Sequence, residues 1–292
     1  MKRNAFLLGA ASGLALVGYS DGLFQRALAQ TAPAGGDARV LVVVNFQGGN
    51  DGLHTLIPYA SAPYYTYRPT LAVPPGDVLR IDDAVGLNPA LAKVKALYDK
   101  GRVAIVQGVG YPNPDYSHFR STEIWETAAP QSYVSTGWLG RYLDGARLPT
   151  GNLFNAVAIA DVLPEVLVAD RIDVAAIAQL NGYGLASDRS KTVGRDEFHA
   201  IVQDANVPFT SPYLAQVAQI EDHAQRGAEE LPKLVAGYAP AATYPATPIG
   251  RSLALSAQIL GTTLGTRLLF VQLGSFDTHT TQKVTQDRLL GD

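Results

Sequence analysis

The sequence has 292 residues, a formal net charge of −3 and a hydrophobic content of 47%, which is ample for one large α/β domain or two smaller ones. It contains no cysteine, and this excludes disulfides, thiolate metal sites and cysteine nucleophiles. No basic run with interleaved aromatic residues occurs in it, so we expect no nucleic-acid partner.

The N-terminus has the pattern of a secretory signal peptide. Lys2 and Arg3 precede an apolar run over residues 5–17, and a small-residue pattern ends at Ala29. The apolar run is too short to span a bilayer comfortably, so we expect cleavage near Ala29 and no permanent membrane anchor. The predicted organisation of this periplasmic or secreted protein is a signal peptide over residues 1–29, a linker over 30–38 and an α/β domain over 39–292.

The first element of that domain is predicted to be a buried strand followed by a glycine-rich loop. Residues 40–44 form a continuous apolar run, which is typical of a strand covered on both faces in a parallel sheet. Asp51 lies among the glycines of residues 48–52, and in open α/β sheets ligands bind beyond the carboxyl ends of the strands. Asp51 is therefore a candidate site residue, although Asn-Asp-Gly sequences also form simple turns.

Residues 57–75 are rich in tyrosine and proline, and we expect neither a regular helix nor a central strand there. Tyr65 and Arg68 are candidate substrate-binding residues, through stacking and anion pairing. The alternative, which is the commoner role of such tyrosines, is that they pack an irregular segment against the body of the protein.

A second strand is predicted after the next helix. Asn88 and Pro89 indicate a helix start, with the helix ending near Gly101. Residues 103–106 read as another buried strand, which completes a right-handed parallel unit with the first. Further along, we expect short strands over residues 156–159 and within 174–180, and helices from Ser211 to Leu231 and over 249–260.

Ser117 is the candidate nucleophile. It lies at or near the start of a helix, where free backbone N–H groups and the helix dipole favour an anion and lower the cost of an alkoxide. Arg120, one turn along, is placed to clamp an oxyanion. The alternative is that Ser117 only caps the helix, which serines do routinely.

The last predicted strand, residues 267–273, is followed by Asp277 and His279. Residues two apart share one side of an extended segment, and a carboxylate oxygen and an imidazole nitrogen both suit zinc. Two ligands are not a complete site, so Asp51 or other residues would have to complete it. Residues 182–184, Gly-Tyr-Gly, lack the strand-turn-helix context of a dinucleotide site, and we expect no nucleotide cofactor.

Six motifs in matching order resemble one family, the exported domain-of-unknown-function family 1501 of the alkaline-phosphatase-like superfamily. They are GGNDGLHTLIPY, YYTYRPTLAV, LNPAL, VQGVGYPNPDYSHFRSTEIWET, GWLGRYLD and GSFDTHTTQ. The resemblance implies a doubly wound, mostly parallel sheet with helices on both faces, and a two-metal site that hydrolyses phosphate or sulfate esters. It also implies site roles: Asp51, Asp277 and His279 as metal ligands, with zinc the expected metal, Ser117 as nucleophile, and His118 with the substrate-binding residues.

Two departures from the family pattern shape further expectations. Asn4 follows Arg3 where members commonly have paired arginines, so both twin-arginine export and ordinary secretion stay open. The sequence ends at Asp292, whereas members continue with further strands and an Asp-His-Gly-like segment. This predicts an α/β domain whose C-terminal part is missing and a last helix that begins at Gln282.

Three functions follow from these residues. The leading hypothesis is a metal-dependent hydrolase of small-molecule or glycan phosphate or sulfate esters. The second is a non-catalytic exported protein that binds a glycan or protein partner through the tyrosine-rich segment. The third is a serine hydrolase of the triad type, which is weaker because no G-x-S-x-G elbow is present and an Asp two residues before its own His is poorly placed to orient it.

Overall fold

The computed structural model describes residues 39–146, 148–149, 152–180 and 231–292. Several predicted features lie outside these ranges: the signal peptide and linker over residues 1–38, the Gly-Tyr-Gly sequence over 182–184, and all of the helix from Ser211 except its last residue, Leu231. Among the described residues, no helix is long and apolar enough to cross a membrane.

The main sheet has four parallel strands. These are β1 (Leu41–Phe46), β5 (Ala156–Ile159), β6 (Ala175–Ala176) and β7 (Leu268–Leu273), in the spatial order β1-β7-β5-β6. The register of β1 on β7 runs from Leu41 opposite Leu268 to Phe46 opposite Leu273. The predicted α/β class with a mostly parallel sheet is therefore confirmed.

A second, antiparallel sheet is formed by residues that follow β1 in the chain. It contains β2 (Leu56–Ile57), β3 (Leu79–Arg80) and β4 (Gly86–Leu87), in the order β2-β4-β3. The α-helices that lie wholly within the described residues are α1 (Gly52–Thr55), α2 (Ala62–Tyr67), α3 (Ala92–Asp99), α4 (His118–Thr127), α5 (Trp138–Gly145), α6 (Pro248–Leu260) and α7 (Gln282–Gly291), with 3-10 turns at Pro89–Leu91 and Glu165–Leu167. Residues 231–235 are also helical.

Helices pack on both faces of β7, which explains why this strand is apolar throughout. Leu269 and Val271 face a cluster that includes Ile259 of α6 and Leu289 of α7. Phe270 belongs to the opposite cluster, and that cluster is completed by residues of α5, β5 and their connections, namely Leu139, Leu143, Ala156, Ala158, Val166, Leu167 and Ile172. Because side chains alternate across a strand, a continuous apolar run is what cover on both faces requires.

Two predictions about local structure are wrong. Residues 103–106 form no strand: Ala104 makes one isolated bridge and Val106 is mostly exposed, so an apolar run without a full partner strand does not become a buried one. Residues 62–67, where prolines argued against a helix, form α2. Pro63 lies in the first turn of that helix, where its missing N–H has no intrahelical partner to lose.

Candidate functional site

The loops that follow β1 and β7 leave the same edge of the sheet. Gln47 N donates to the carbonyl of Leu273 over 2.9 Å, and Phe276 N donates to the carbonyl of Gln47 over 3.3 Å. The rings of Phe46 and Phe276 stack with their centroids 4.9 Å apart. The two loops are therefore fastened together directly beyond the carboxyl ends of adjacent parallel strands, which is where open α/β sheets bind ligands.

Two glycines in the β1 loop allow this close approach. Gly48 has φ +100°, and a Cβ on it would lie 3.0 Å from the backbone nitrogen of Asp277. Gly49 has φ +88°, and a Cβ on it would lie 4.0 Å from Cε1 of His118. L-residues with side chains rarely adopt this conformation, so the glycines position both Asp277 and His118 against the loop.

Asp277, His279 and His118 together form what we call the open cluster. His279 Nε2 lies 2.9 Å from Asp277 Oδ1, and His118 Nε2 lies 4.0 Å from the same oxygen. The side chains of Asp277, His118 and His279 are 49%, 65% and 78% exposed. A substrate in solution can therefore reach all three. His118 approaches the Asp277 carboxylate from the start of α4, and His279 approaches it from the loop after β7.

The backbone around Asp277 and His279 is strained. Ser275, His279 and Thr281 have φ values of 74°, 36° and 54°, which non-glycine residues seldom adopt. Strain of this kind costs about 1–3 kcal/mol per residue and concentrates at functional sites. The 2.9 Å approach of His279 Nε2 to Asp277 Oδ1 corrects one argument made from spacing, because a carboxylate two residues before a histidine does reach its imidazole here.

Ser117 is the N-cap residue of α4, as predicted. Its side chain makes no capping hydrogen bond, although its own backbone N–H donates to Asp115 Oδ1 over 2.7 Å. The side chain is exposed and directly precedes His118 of the open cluster. The capping alternative is therefore not realised through the hydroxyl, and the role as nucleophile stays a prediction.

Asp51 lies in a different environment, which we call the closed cluster and define as Asp51, Arg68 and Gln282. Arg68 Nη2 and Gln282 Nε2 both donate to Asp51 Oδ2, and Leu53 N donates to Oδ1 over 3.0 Å. The side chains of Arg68 and Asp51 are only 18% and 16% exposed. The structure thus joins a predicted metal ligand to a predicted substrate-binding residue in one nearly buried ion pair.

A second polar contact, which was not predicted from the sequence, joins α1 to α7. His54 is fully buried, and its Nε2 lies 2.7 Å from Asp287 Oδ1 on α7. Asn88 Nδ2 donates to the same oxygen over 2.9 Å. Burial raises the pKa of Asp287, but hydrogen bonds from Asn88, Lys283 and His54 outweigh it, so the net pKa is lowered. Neither segment carries a signal for this contact, because it joins positions 233 residues apart.

The remaining predicted residues are engaged in packing. Arg120 donates to the carbonyl of Ser132 over 3.1 Å, pairs with Glu123 at 2.8 Å and stacks over Tyr133, which fastens the following loop to α4. Tyr65 donates its hydroxyl to the carbonyl of Tyr59 over 3.1 Å. Their roles in binding or catalysis stay predictions.

The predicted metal ligands Asp51, Asp277 and His279 do not lie together as one group in the structure. Within the part of the chain that the structure describes, no group of three or more His, Asp or Glu side chains is already arranged to hold a metal ion. Asp277 and His279 supply donors of the right chemistry, and His118 is the next nearest. Asp51 Oδ2 already accepts hydrogen bonds from Arg68 and Gln282.

Comparison with known proteins yields no relatives. No protein-family model, no curated protein and no solved structure matches the chain. The resemblance to family 1501 therefore stays a prediction that rests on the six motifs.

Proposed function

We propose that this chain is an exported hydrolase of phosphate or sulfate esters, with Ser117 as nucleophile and a divalent metal, most simply zinc, bound at the open cluster. One observation carries the proposal: the β1 and β7 loops and the start of α4 bring Ser117, His118, Asp277 and His279 to one exposed edge of the sheet. The helices on both faces of β7 agree with the alkaline-phosphatase-like, doubly wound fold that we propose with it.

The residues divide the work between them. Asp277 and His279 would hold the metal, with His118 as a further ligand, because zinc sites combine carboxylate oxygen and imidazole nitrogen. When bound, the metal supplies Lewis-acid stabilisation of the charge on the ester oxygens. Ser117 Oγ loses its proton to water and forms the new bond to phosphorus or sulfur, while the bond to the leaving oxygen breaks and that oxygen takes up a proton. Water then cleaves the seryl ester and releases phosphate or sulfate. The first turn of α4 stabilises the negative charge near Ser117.

Replacement of the nucleophile tests this chemistry. Ser117→Ala should lower the hydrolysis of p-nitrophenyl phosphate or p-nitrophenyl sulfate by at least about a thousandfold, measured with added zinc. Ser252→Ala is the matched control, since the Ser252 hydroxyl on α6 only donates to the carbonyl of Pro248 over 3.1 Å, and it should keep its activity.

Two results would overturn the proposal. Unchanged turnover in Ser117→Ala removes the serine from the mechanism, and a wild-type protein that binds zinc but hydrolyses neither ester is not this kind of hydrolase. In the second case the alternative, a non-catalytic exported binding protein, is the better account. The structure does not favour that alternative through the tyrosine-rich segment, because Tyr64 is buried and Tyr65 is packed, whereas Tyr67 alone of the three is mostly exposed.

A further inference from the structure

Two aromatic side chains beside the candidate nucleophile are almost completely exposed. Tyr116 is 93% and Phe119 is 91% exposed, and they directly flank Ser117 and His118 in the chain. Phenylalanine is among the residues most often buried, because removing its apolar surface from water is favourable. Because both rings are exposed and lie close together in the chain, they are available to contact an apolar group of a ligand.

The turn that presents these rings is tied down by hydrogen bonds. Asp115 N donates to the hydroxyl of Tyr111 over 3.1 Å, and that hydroxyl lies 3.2 Å from Ser121 Oγ on α4. The ring of Tyr111 also meets Trp125 of α4 edge-on, with centroids 6.0 Å apart. Tyr116 is thus held on an ordered turn and Phe119 in the first turn of α4, and this limits the entropy lost when a ligand orders them.

The position of the pair defines what it would contact. Ser117 and His118 lie between the two aromatic residues in the chain. His118 Nε2 lies 4.0 Å from Asp277 Oδ1, and the same oxygen lies 2.9 Å from His279 Nε2. Tyr116 precedes Ser117 and Phe119 follows His118 in the chain, so both rings are near neighbours of a residue proposed to bind the ester group. Aromatic faces bind flat rings by stacked or edge-on contacts, in addition to the area that they bury.

We propose that Tyr116 and Phe119 form a platform for a flat apolar ring, and that the substrates are aryl esters in which this ring is attached to the phosphate or sulfate oxygen. The platform explains why two large apolar side chains stand exposed beside an anion-binding, polar site. This inference rests on the proposed function for the position of the ester group, but ring recognition itself is measurable without turnover.

The experiment compares two phosphonates that differ in the ring. Phenylphosphonate and methylphosphonate are titrated calorimetrically into the full chain with zinc present, and the wild type should bind phenylphosphonate about tenfold more tightly, as about 1.4 kcal/mol of stacking and burial implies. The double variant Tyr116→Ala, Phe119→Ala should lose this preference and bind both compounds alike. Tyr67→Ala is the matched control, because Tyr67 is 83% exposed on α2, and it should keep the preference.

Three outcomes overturn the platform. The first two are equal binding of the two phosphonates by the wild type and a preference for phenylphosphonate that survives in the double variant. The third is a double variant that changes only the oligomeric state, which would show that the rings serve an interface between copies of the chain. Failure of the platform is distinguishable from failure of the proposed function. If the protein hydrolyses esters but shows no ring preference, the proposed function stands and the platform fails. If it prefers phenylphosphonate but hydrolyses no ester, the platform stands and the proposed function fails.

Discussion

The closed and open clusters each contain one aspartate that follows a strand of the parallel sheet, yet the two aspartates are solvated differently. In the closed cluster, Asp51 is paired with Arg68 and bonded by Gln282, with little exposure to water. In the open cluster, Asp277 meets His279 and His118 with about half of its side chain exposed. Residue type alone therefore does not separate an acid that holds the fold from an acid that is free to act on a ligand.

Burial decides the difference. A buried charge depends on its partner, because the desolvation penalty of an unpaired ion is several kcal/mol. An exposed pair is weakly coupled, since water screens it and most such pairs contribute about 0–1 kcal/mol. The closed cluster should therefore govern stability and the open cluster should govern chemistry, and three substitutions test this division.

The largest effect is expected at Arg68. Arg68→Ala leaves the Asp51 carboxylate, which is 16% exposed, without its cation but with hydrogen bonds from Gln282 and Leu53. This should lower the free energy of unfolding by about 1–3 kcal/mol, measured by urea denaturation. Adding Asp51→Asn should restore much of the loss, because the uncompensated charge is removed. His279→Ala is the control, and it should change stability by no more than about 0.5 kcal/mol. Equal losses in the two single variants would abolish the distinction between the clusters.

A smaller effect is expected where the two loops touch. Gly48→Ala must place a side chain at φ +100° and a Cβ 3.0 Å from the backbone nitrogen of Asp277, so it should lower the free energy of unfolding by about 1–2 kcal/mol. The open cluster should also shift, which the chemical shifts of the His118 and His279 ring protons would report. Gly52→Ala is the control, because a Cβ at Gly52 meets nothing within 4 Å, and it should change neither the stability nor the chemical shifts. If the two variants behave alike, Gly48 does not position Asp277.

The smallest effect concerns pH and Asp287. Its pKa is held below the ordinary value of 3.8 despite burial, so its ionised form stabilises the fold above that pH, and this contribution is lost as pH falls through the lower, folded-state pKa. Urea unfolding of the wild type should therefore weaken more steeply below pH 3.8 than that of Asp287→Asn. Asp99→Asn, which breaks a similar Lys-Asp pair on exposed α3, should follow the wild-type slope. Parallel curves for wild type and Asp287→Asn would contradict the role of Asp287.

Much of the sheet was predictable because its strands carry their own signal. The apolar runs over residues 40–44 and 267–273 correspond to β1 and β7, and residues 156–159 to β5. Cover on both faces of a parallel sheet imposes that pattern locally. Residues 103–106 carry the same pattern and form no strand, because a strand also needs a partner along its whole length, and that is a property of other parts of the chain.

The candidate site was predictable as a set of residues but not as an arrangement. Glycines, Asp51, Ser117, Asp277 and His279 all follow or adjoin predicted strand ends, which is a local property. The pairing of His54 with Asp287 joins positions 233 residues apart, and no periodicity within either segment indicates it. The same is true of the convergence of His118 and His279 on Asp277.

By itself, the sequence determined the α/β class, the strands β1, β5 and β7, and which side chains are chemically able to bind an anion or a metal. These depend on hydrophobic pattern and on functional groups, which each segment carries with it. Only the tertiary structure decided that Asp51 is held by Arg68 and Gln282 while Asp277 and His279 stay open to solvent. Solvent exposure and long-range pairing depend on how distant segments pack, and for a carboxylate they decide whether its charge stabilises the fold or is available to a ligand.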